Sequence, residues 1–323
     1  MSATTTPRPS GGPAGSRAAS AKPARARASD KARAEAKLGW YLAGPAFVIL
    51  VAVTGYPILQ ALYESLFSYR LTAPADREFI GLRNYGVILS DSLWWEAMVN
   101  TVLITVVTVA VELVLGFALA MVMHKVLGWL RPIVRTAILV PYAVITVVSA
   151  YAWQYAFALT TGFMNSVVPG VGPDFDWFAN KWTALLVICL SEIWKTTPFI
   201  SLLLLAGLAQ VPSDTIEAAK VDGASAWERL WRVTLPNMKA SIMVALLFRA
   251  LDAFRIFDNV YIMTQGAAGT QTVSALAYNQ TISRLEIGLG SAVSVLLFIC
   301  VLIICFIAIK VFKVDLARAR GEG

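Results

Sequence analysis

Histidine occurs once in the 323 residues and cysteine three times, and each scarcity excludes some chemistry. Zinc sites take three or four protein ligands, chiefly His and Cys. His124 stands alone beside Lys125, where an apolar run ends, and reads as an interfacial residue. Cys189, Cys300 and Cys305 lie inside apolar runs without CxxC spacing, so neither a metal nor a disulfide framework is expected. Charge is also sparse: Asp, Glu, Lys and Arg make up 15% of the chain, against about 25% in soluble domains. Catalytic signatures are missing as well. The chain has no G-x-x-x-x-G-K-[ST] run to cradle nucleotide phosphates, no HExxH to hold zinc, and no G-x-S-x-G turn to raise a serine nucleophile.

What remains is apolar. Hydrophobic residues reach 58%, and the mean hydropathy is +0.66. They gather into blocks of about twenty or more, the helical length that crosses a ~30 Å hydrocarbon layer. The expected fold is an all-α integral membrane protein with six spans near 39–64, 99–123, 133–156, 182–207, 238–263 and 286–311. Pro57 and Pro198 interrupt two of these runs and are expected to kink them. Residues 1–38, rich in Ala, Pro, Ser, Gly and Arg, read as a disordered basic tail, and 313–323 as a second short tail. The apolar run after residue 38 is too long for a signal-peptide core and lacks a clear A-x-A site, so it is expected to be retained.

Basic residues set the orientation, because basic loops resist translocation. On one face fall the N-terminal tail, the turn with Lys125, Arg131 and Arg135, the segment with Lys220, Arg229, Arg232 and Lys239, and the C-terminal Lys310, Lys313, Arg318 and Arg320. The other face keeps only Arg70, Arg77, Arg83, Lys181 and Arg284. Both termini are thus expected in the cytoplasm, with the tail contacting anionic lipid rather than nucleic acid. The outer loops, 65–98, 157–181 and 264–285, hold turn formers and the pair Trp94 and Trp95. They suit either plain linkers with interfacial aromatics or a docking surface for an external partner.

Ionised side chains within spans cost at least ~2.5–3.5 kcal/mol each, so they need partners or a polar cavity. Glu112, Glu192, Lys195, Arg249, Asp252, Arg255 and Asp258 are in this position. At ~1.5 Å per residue, Glu192 and Arg249 both come near mid-membrane, and Asp258 near the outer surface. Steps of three residues rotate by about −60°, so the set from Arg249 to Asp258 cannot all face one channel. Local pairing of Arg249 with Asp252, and of Arg255 with Asp258, stays open beside a pathway role. Glu112, alone in the second span, reads as structural. Buried carboxylates would also suit a proton-coupled secondary transporter, although such chains are usually longer and built from repeats that are not evident here.

Between the fourth and fifth expected spans stands EAAKVDGASAWERLWRVTLP, Glu217 to Pro236, longer than a passive connection requires. Ser213 and Asp214 offer a helix cap and Gly223 a break, after which Trp227, Leu230, Trp231 and Thr234 repeat at helical spacing. A helix–turn–helix at the cytoplasmic face is expected, resting on lipid or seated in a partner's groove. The spacing of Glu217-Ala218-Ala219, Gly223 and Val233-Thr234-Leu235-Pro236 resembles the EAA loop, EAA-x3-G-x9-I-x-L-P, of binding-protein-dependent ABC importer permeases, with Val233 in place of Ile. GPAFVILVAVTGYPILQALYESLFSY, FDNVYIMTQGAAGTQTVSALAY and GLGSAVSVLLFI are similar to stretches of the sugar-type members, with Gly266-Ala267-Ala268 replacing most of a GGP turn. The resemblance covers about residues 38–312 and falls on the side of the maltose and glycerol-phosphate group, with the trehalose-type permeases of actinobacteria as the nearest guess.

That resemblance implies a type I ABC importer permease domain of six transmembrane helices over 39–312, with a coupling loop at 208–236. It implies transport of a di- or small oligosaccharide, trehalose being the leading candidate. The implied partners are a second homologous permease, two ATPase subunits that bind ATP and Mg, and an extracytoplasmic sugar-binding protein or lipoprotein. No cofactor is implied on this chain itself. Glu217, Ala218, Ala219, Asp222, Gly223, Leu235 and Pro236 would couple to the ATPase. Glu192, Lys195, Thr196, Phe199, Arg249, Asp252 and Ile256 would form the substrate pathway, binding hydroxyls with polar groups and a C–H face with the aromatic ring.

Overall fold

The computed structural model describes residues 25–312, and the chain falls into two units, residues 1–57 and 58–323. Helix α1, Arg25–Glu64, carries Pro45 and Pro57 inside it. Its apolar side chains, among them Trp40, Leu50 and Val53, are exposed, as a lipid-facing span requires. Residues 25–38, expected as part of the disordered tail, instead form the first turns of this helix. Ala, Arg, Lys and Glu dominate there, and all favour helix. The remainder of that tail, 1–24, and the C-terminal 313–323 lie outside the described residues.

The second unit continues through a small antiparallel hairpin, β1 (Phe67–Ser68) and β2 (Glu78–Phe79). Arg77 anchors it, bonding Glu64 at 3.0 Å while its guanidinium lies 4.5 Å from the Phe67 ring centre. Next come α2 (Arg83–Ser90), α3 (Ser92–Lys125), α4 (Arg131–Ala143), α5 (Thr146–Phe157), α6 (Met164–Val167) and α7 (Lys181–Leu208). The short α8 (Ser213–Val221), α9 (Ala226–Arg229) and α10 (Leu235–Asn237) lead to α11 (Lys239–Ala253), α12 (Asp258–Met263), α13 (Val273–Tyr278) and α14 (Ile287–Phe312). Helices α3 and α7 pack along each other and, with α5 and α12, enclose a core of Ile104, Leu185, Ile188, Phe157 and Val260.

Six spans were expected, but among the described residues four helices are individually long and apolar enough to cross a membrane: Lys37–Glu64, Ser92–Lys125, Lys181–Leu208 and Ile287–Lys310. The pair α4 and α5 makes a fifth if counted as one span bent by 84°. Pro141 removes a hydrogen bond from the last turn of α4, and the β-branched Val144 and Ile145 then take extended backbone. The region 238–263 departs furthest from expectation. Helix α11 ends at Ala253 as its last turn tightens, with Ile256 N–H donating to the Ala253 carbonyl, and α12 starts anew at Asp258. Pro198, by contrast, sits inside a continuous α7, where the Thr197 and Ser201 hydroxyls donate to the Ile193 and Pro198 carbonyls at 2.6 Å each.

The loop after α12 adopts an unusual conformation. Gln265, Gly266, Ala268 and Gly269 all have positive φ. Asn100 of α3 holds it by donating to the carbonyls of Gly269 and Gln271, each at 2.8 Å.

Candidate coupling segment and substrate cavity

The segment between α7 and α11 folds as the helix–turn–helix its sequence suggested. Helix α8 ends in a Schellman turn: Gly223 N–H donates to Lys220 O at 3.1 Å, and Ala224 N–H to Ala219 O at 3.0 Å. Gly223 has φ +80°, and nothing stands within 4 Å of where a Cβ would be, so backbone conformation alone requires glycine there. The expected cap at Ser213 and Asp214 does not form. Pro212 occupies the cap position, and the Ser213 hydroxyl turns to Asp214 at 3.2 Å. A capping box forms instead at α9. Ser225 Oγ accepts from Glu228 N–H, and Glu228 Oε2 accepts from Ser225 N–H at 2.9 Å. The S-x-x-E signature at 225–228 was legible in the sequence.

Glu217, Ala218, Asp222, Gly223 and Pro236 are exposed, while Ala219 and Leu235 are half-buried. Trp227 and Trp231 pack edge to face at 5.6 Å yet remain 67% and 55% exposed, an apolar pair open to a partner.

The Ser225 backbone N–H, then its hydroxyl, holds the Glu228 carboxyl below its ordinary value. A depressed folded-state value means the box stabilises α9 above the unfolded carboxylate pKa and loses that contribution as pH falls through the folded one. Hydrogen exchange of the 226–229 amides is therefore expected to be faster in Glu228→Gln than in the parent at pH 7. The difference should close on acidification through the lowered value; a gap that stays constant with pH would contradict the titration.

A buried charge network stands where α3, α7, α11 and α12 meet. Arg249 and Glu112 have no exposed area. Arg249 Nε donates to Glu112 Oε2, Nη2 to Glu112 Oε1 at 3.0 Å and to Glu192 Oε1 at 2.7 Å, and Nη1 to Asp252 Oδ2 at 2.8 Å. Thr196 adds a hydroxyl to Glu112 Oε1 at 2.7 Å, and Asn259 Nδ2 donates to Glu192 Oε2 at 2.6 Å. An enclosed guanidinium costs several kcal/mol of desolvation unless its donors are satisfied. Here all three nitrogens have carboxylate partners, so Glu112, read from sequence as a solitary structural residue, is structural through Arg249.

Glu192, Lys195, Thr196, Asp252 and Ile256, five of the expected pathway residues, line one cavity of ≈ 270 Å³. Arg249 does not reach it; it sits enclosed behind Glu192 and Asp252. Phe199 lies one layer away, stacked on Tyr142 at 5.5 Å. Lys195 is 8% exposed, and its Nζ stands 5.5 Å from the Tyr142 ring centre.

Sequence reading missed Tyr142, Thr146, Phe257 and Asn259, which also line the cavity. Tyr142 and Thr146 carry no charge to mark them, and Phe257 and Asn259 were read only as part of the FDNVY stretch. Arg249 and Asp252 pair locally as the spacing allowed, whereas Arg255 and Asp258 form no salt bridge among the described residues. Arg255 lies in the break between α11 and α12 and Asp258 opens α12, so the helical i,i+3 geometry is lost. A larger cavity, ≈ 470 Å³, lies beside the hairpin, but there Arg70 and Glu286 neutralise each other at 2.9 Å.

The profile of one protein family, described as "Binding-protein-dependent transport system inner membrane component", matches residues 112–314. The chain belongs to this family. It is therefore a non-catalytic, multi-pass inner-membrane permease component of the ABC transporter type, and the proton-coupled alternative is set aside. The chain is 51% identical over 279 residues to the trehalose transport system permease protein SugA of Mycobacterium tuberculosis, covering 86% of this chain and 90% of that one. It is 37% identical to the trehalose/maltose transport system permease protein MalF of Thermococcus litoralis, over 86% and 94% of the two chains. Among solved structures, it resembles a chain of a bacterial ABC transporter that imports the acidic polysaccharide alginate. The TM-score is 0.74 at 19% identity, covering 88% of this chain and 98% of that one, a likeness of fold.

Proposed function

We propose that this permease forms half of the membrane channel of an ATP-driven importer for a di- or small oligosaccharide, with trehalose the leading candidate. The exposed Glu217–Pro236 helix–turn–helix carries the mechanistic part of the reading. The substrate class rests on the SugA and MalF relatives, whose names carry trehalose and maltose. The channel is completed by a second homologous permease. Two ATPase subunits bind ATP and Mg, and an extracytoplasmic binding protein delivers the sugar. The six-span topology has both termini in the cytoplasm, with α4–α5 as one bent span and α11–α12 as one broken span. The N-terminal basic stretch contacts anionic lipid there.

In this reading α8 sits in a cleft of the ATPase and moves with it, with Glu217 at the contact and Gly223 presenting the helix. Leu235 and Pro236 pass that motion to α11, whose Arg249 is bonded to α3 and α7. Sugar passes through the cavity at Glu192, Lys195, Thr196, Asp252 and Ile256, with Phe199 supporting the Tyr142 wall.

Copurification of the tagged chain from native membranes, followed by reconstitution, tests the proposal. A second permease, an ATPase and a sugar-binding protein should be recovered, and radiolabelled trehalose should accumulate only with ATP. Recovery of the chain without an ATPase would refute it. Glu217→Lys provides a sharper check. The exposed side chain leaves folding intact, while charge reversal at the contact is expected to reduce sugar uptake by about a hundredfold, as loss of ~2.7 kcal/mol in coupling would. Normal transport by this variant would remove Glu217 from the coupling surface.

A further inference from the structure

The helices on either side of the Glu217–Pro236 segment meet where one of them has no side chain. Gly207, next to last in α7, is buried, and Ser241 lies in the first turn of α11. A Cβ at Gly207 would stand 2.5 Å from Ser241 Cβ and 2.8 Å from Ser241 Oγ. Non-bonded carbons pack at ~3.5–4.0 Å, so a side chain at 207 would force the two helices about 1 Å or more apart. Met238 Cε, at 3.3 Å, is the flexible end of a side chain, whereas Ser241 Cβ is fixed to the α11 backbone. The backbone of Gly207 is ordinary helix, so the close approach alone calls for glycine, against its poor helix propensity. Around the contact, Leu204, Leu208, Met238 and Ala245 form one buried cluster with Ala120 of α3.

Helices α7 and α11 are joined a second time, by Arg249 Nη2 donating to Glu192 Oε1 at 2.7 Å. The two ties stand ~12 Å apart along α11. Helices pinned at one point can swivel, but two ties separated along the axis hold them as one body, and a close-packed interior transmits displacement rather than absorbing it. The segment between them is anchored far less. Helices α8 and α9 bury no residue, and Leu230–Thr234 winds as a π-helix.

We infer that Gly207 is a positioning residue for transport: its contact with Ser241 closes the two ends of the coupling segment on each other, so that a push on α8 moves α7 and α11 together. The inference rests on, and deepens, the coupling reading above. With the ends spread apart, α8 drives one helix while the other lags, and ATP is hydrolysed without moving sugar. Gly207 touches neither the ATPase nor the sugar in this account; it acts through the spacing of the two helices.

The test uses the complete importer in proteoliposomes, with ATP enclosed and sugar-loaded binding protein outside, and reads both ATP hydrolysis and sugar delivered per ATP. Gly207→Ala is expected to lower that ratio about tenfold while hydrolysis continues. Adding Ser241→Gly removes both opposing atoms and lets the new methyl group take the place of the serine Cβ, so the double variant should return to within about twofold of the parent. A glycine that served packing alone would lower the thermal midpoint of Gly207→Ala yet leave the ratio of the assembled complex intact, and that result overturns the assignment. So does a double variant whose ratio stays low, because the loss would then arise elsewhere. If Gly207→Ala does not assemble, Ser241→Thr, which crowds the contact more mildly, decides: a lowered ratio supports the assignment and a parental one overturns it. A parent complex that hydrolyses ATP but carries no sugar would bring down the coupling reading itself.

Discussion

Arg249→Ala is expected to lose most folded protein, at a cost of about 3–5 kcal/mol, because it strands the buried carboxylates of Glu112 and Glu192 without their cation. Those two groups come from α3 and α7, so their repulsion would press apart helices that otherwise pack along each other. Arg255→Ala removes an exposed side chain that donates only to the Leu251 carbonyl, at 3.3 Å, and should cost within ~0.5 kcal/mol. Glu112→Gln falls between them. It keeps the shape and an acceptor for Arg249, and it leaves the guanidinium paired with Glu192 and Asp252. Size-exclusion yield and thermal midpoint in detergent rank the three variants. Equal midpoints for Arg249→Ala and Arg255→Ala would show that the network does not hold the helices together.

Gly288→Ala is the second change expected to be severe. A Cβ there would stand 2.1 Å from the Phe67 carbonyl oxygen and 3.0 Å from the Tyr69 nitrogen. Both are backbone atoms, so no rotamer change can relieve the overlap. Gly288 N–H also donates to Tyr69 O at 3.0 Å, which ties the start of α14 to the residue just after β1, a segment that a shift would displace. Overpacking costs about 1–3 kcal/mol where neighbours can adjust, and the upper end or beyond is expected here. Lowered midpoint and faster proteolysis between residues 65 and 80 would show the hairpin loosening, whereas an unchanged digestion pattern would mean that the backbone accommodates the methyl group.

Legibility differed between the two functional regions for a physical reason. The helix–turn–helix between α7 and α11 is local in sequence. Gly223 supplies the left-handed turn, and the helix formers before it and the helical spacing of Trp227, Leu230, Trp231 and Thr234 after it act over a few residues, so the helix–turn–helix could be read directly. The cavity is assembled from α4, α5, α7 and α11–α12. Its charged members announced themselves through their own chemistry, because an ion in an apolar run is costly enough to need explanation, whereas Thr196 and Ile256 were placed there only through the family resemblance. Asn259, Thr146 and Tyr142 carry no such penalty and became visible only when their helices met.

Hydropathy and short-range pattern in the sequence are enough to show a helical membrane protein with a helix–turn–helix at 213–236 and a handful of buried charges requiring partners. Segment hydrophobicity and short-range turn chemistry are properties of neighbouring residues, and they survive without knowledge of the fold. Tertiary structure alone decided which carboxylates Arg249 joins, where the 238–263 helix breaks, and that Glu112, Glu192 and Asn259 share one network across four helices. Those outcomes depend on helix rotation and on contacts between residues as far apart as 112 and 249, which spacing along one helix cannot encode.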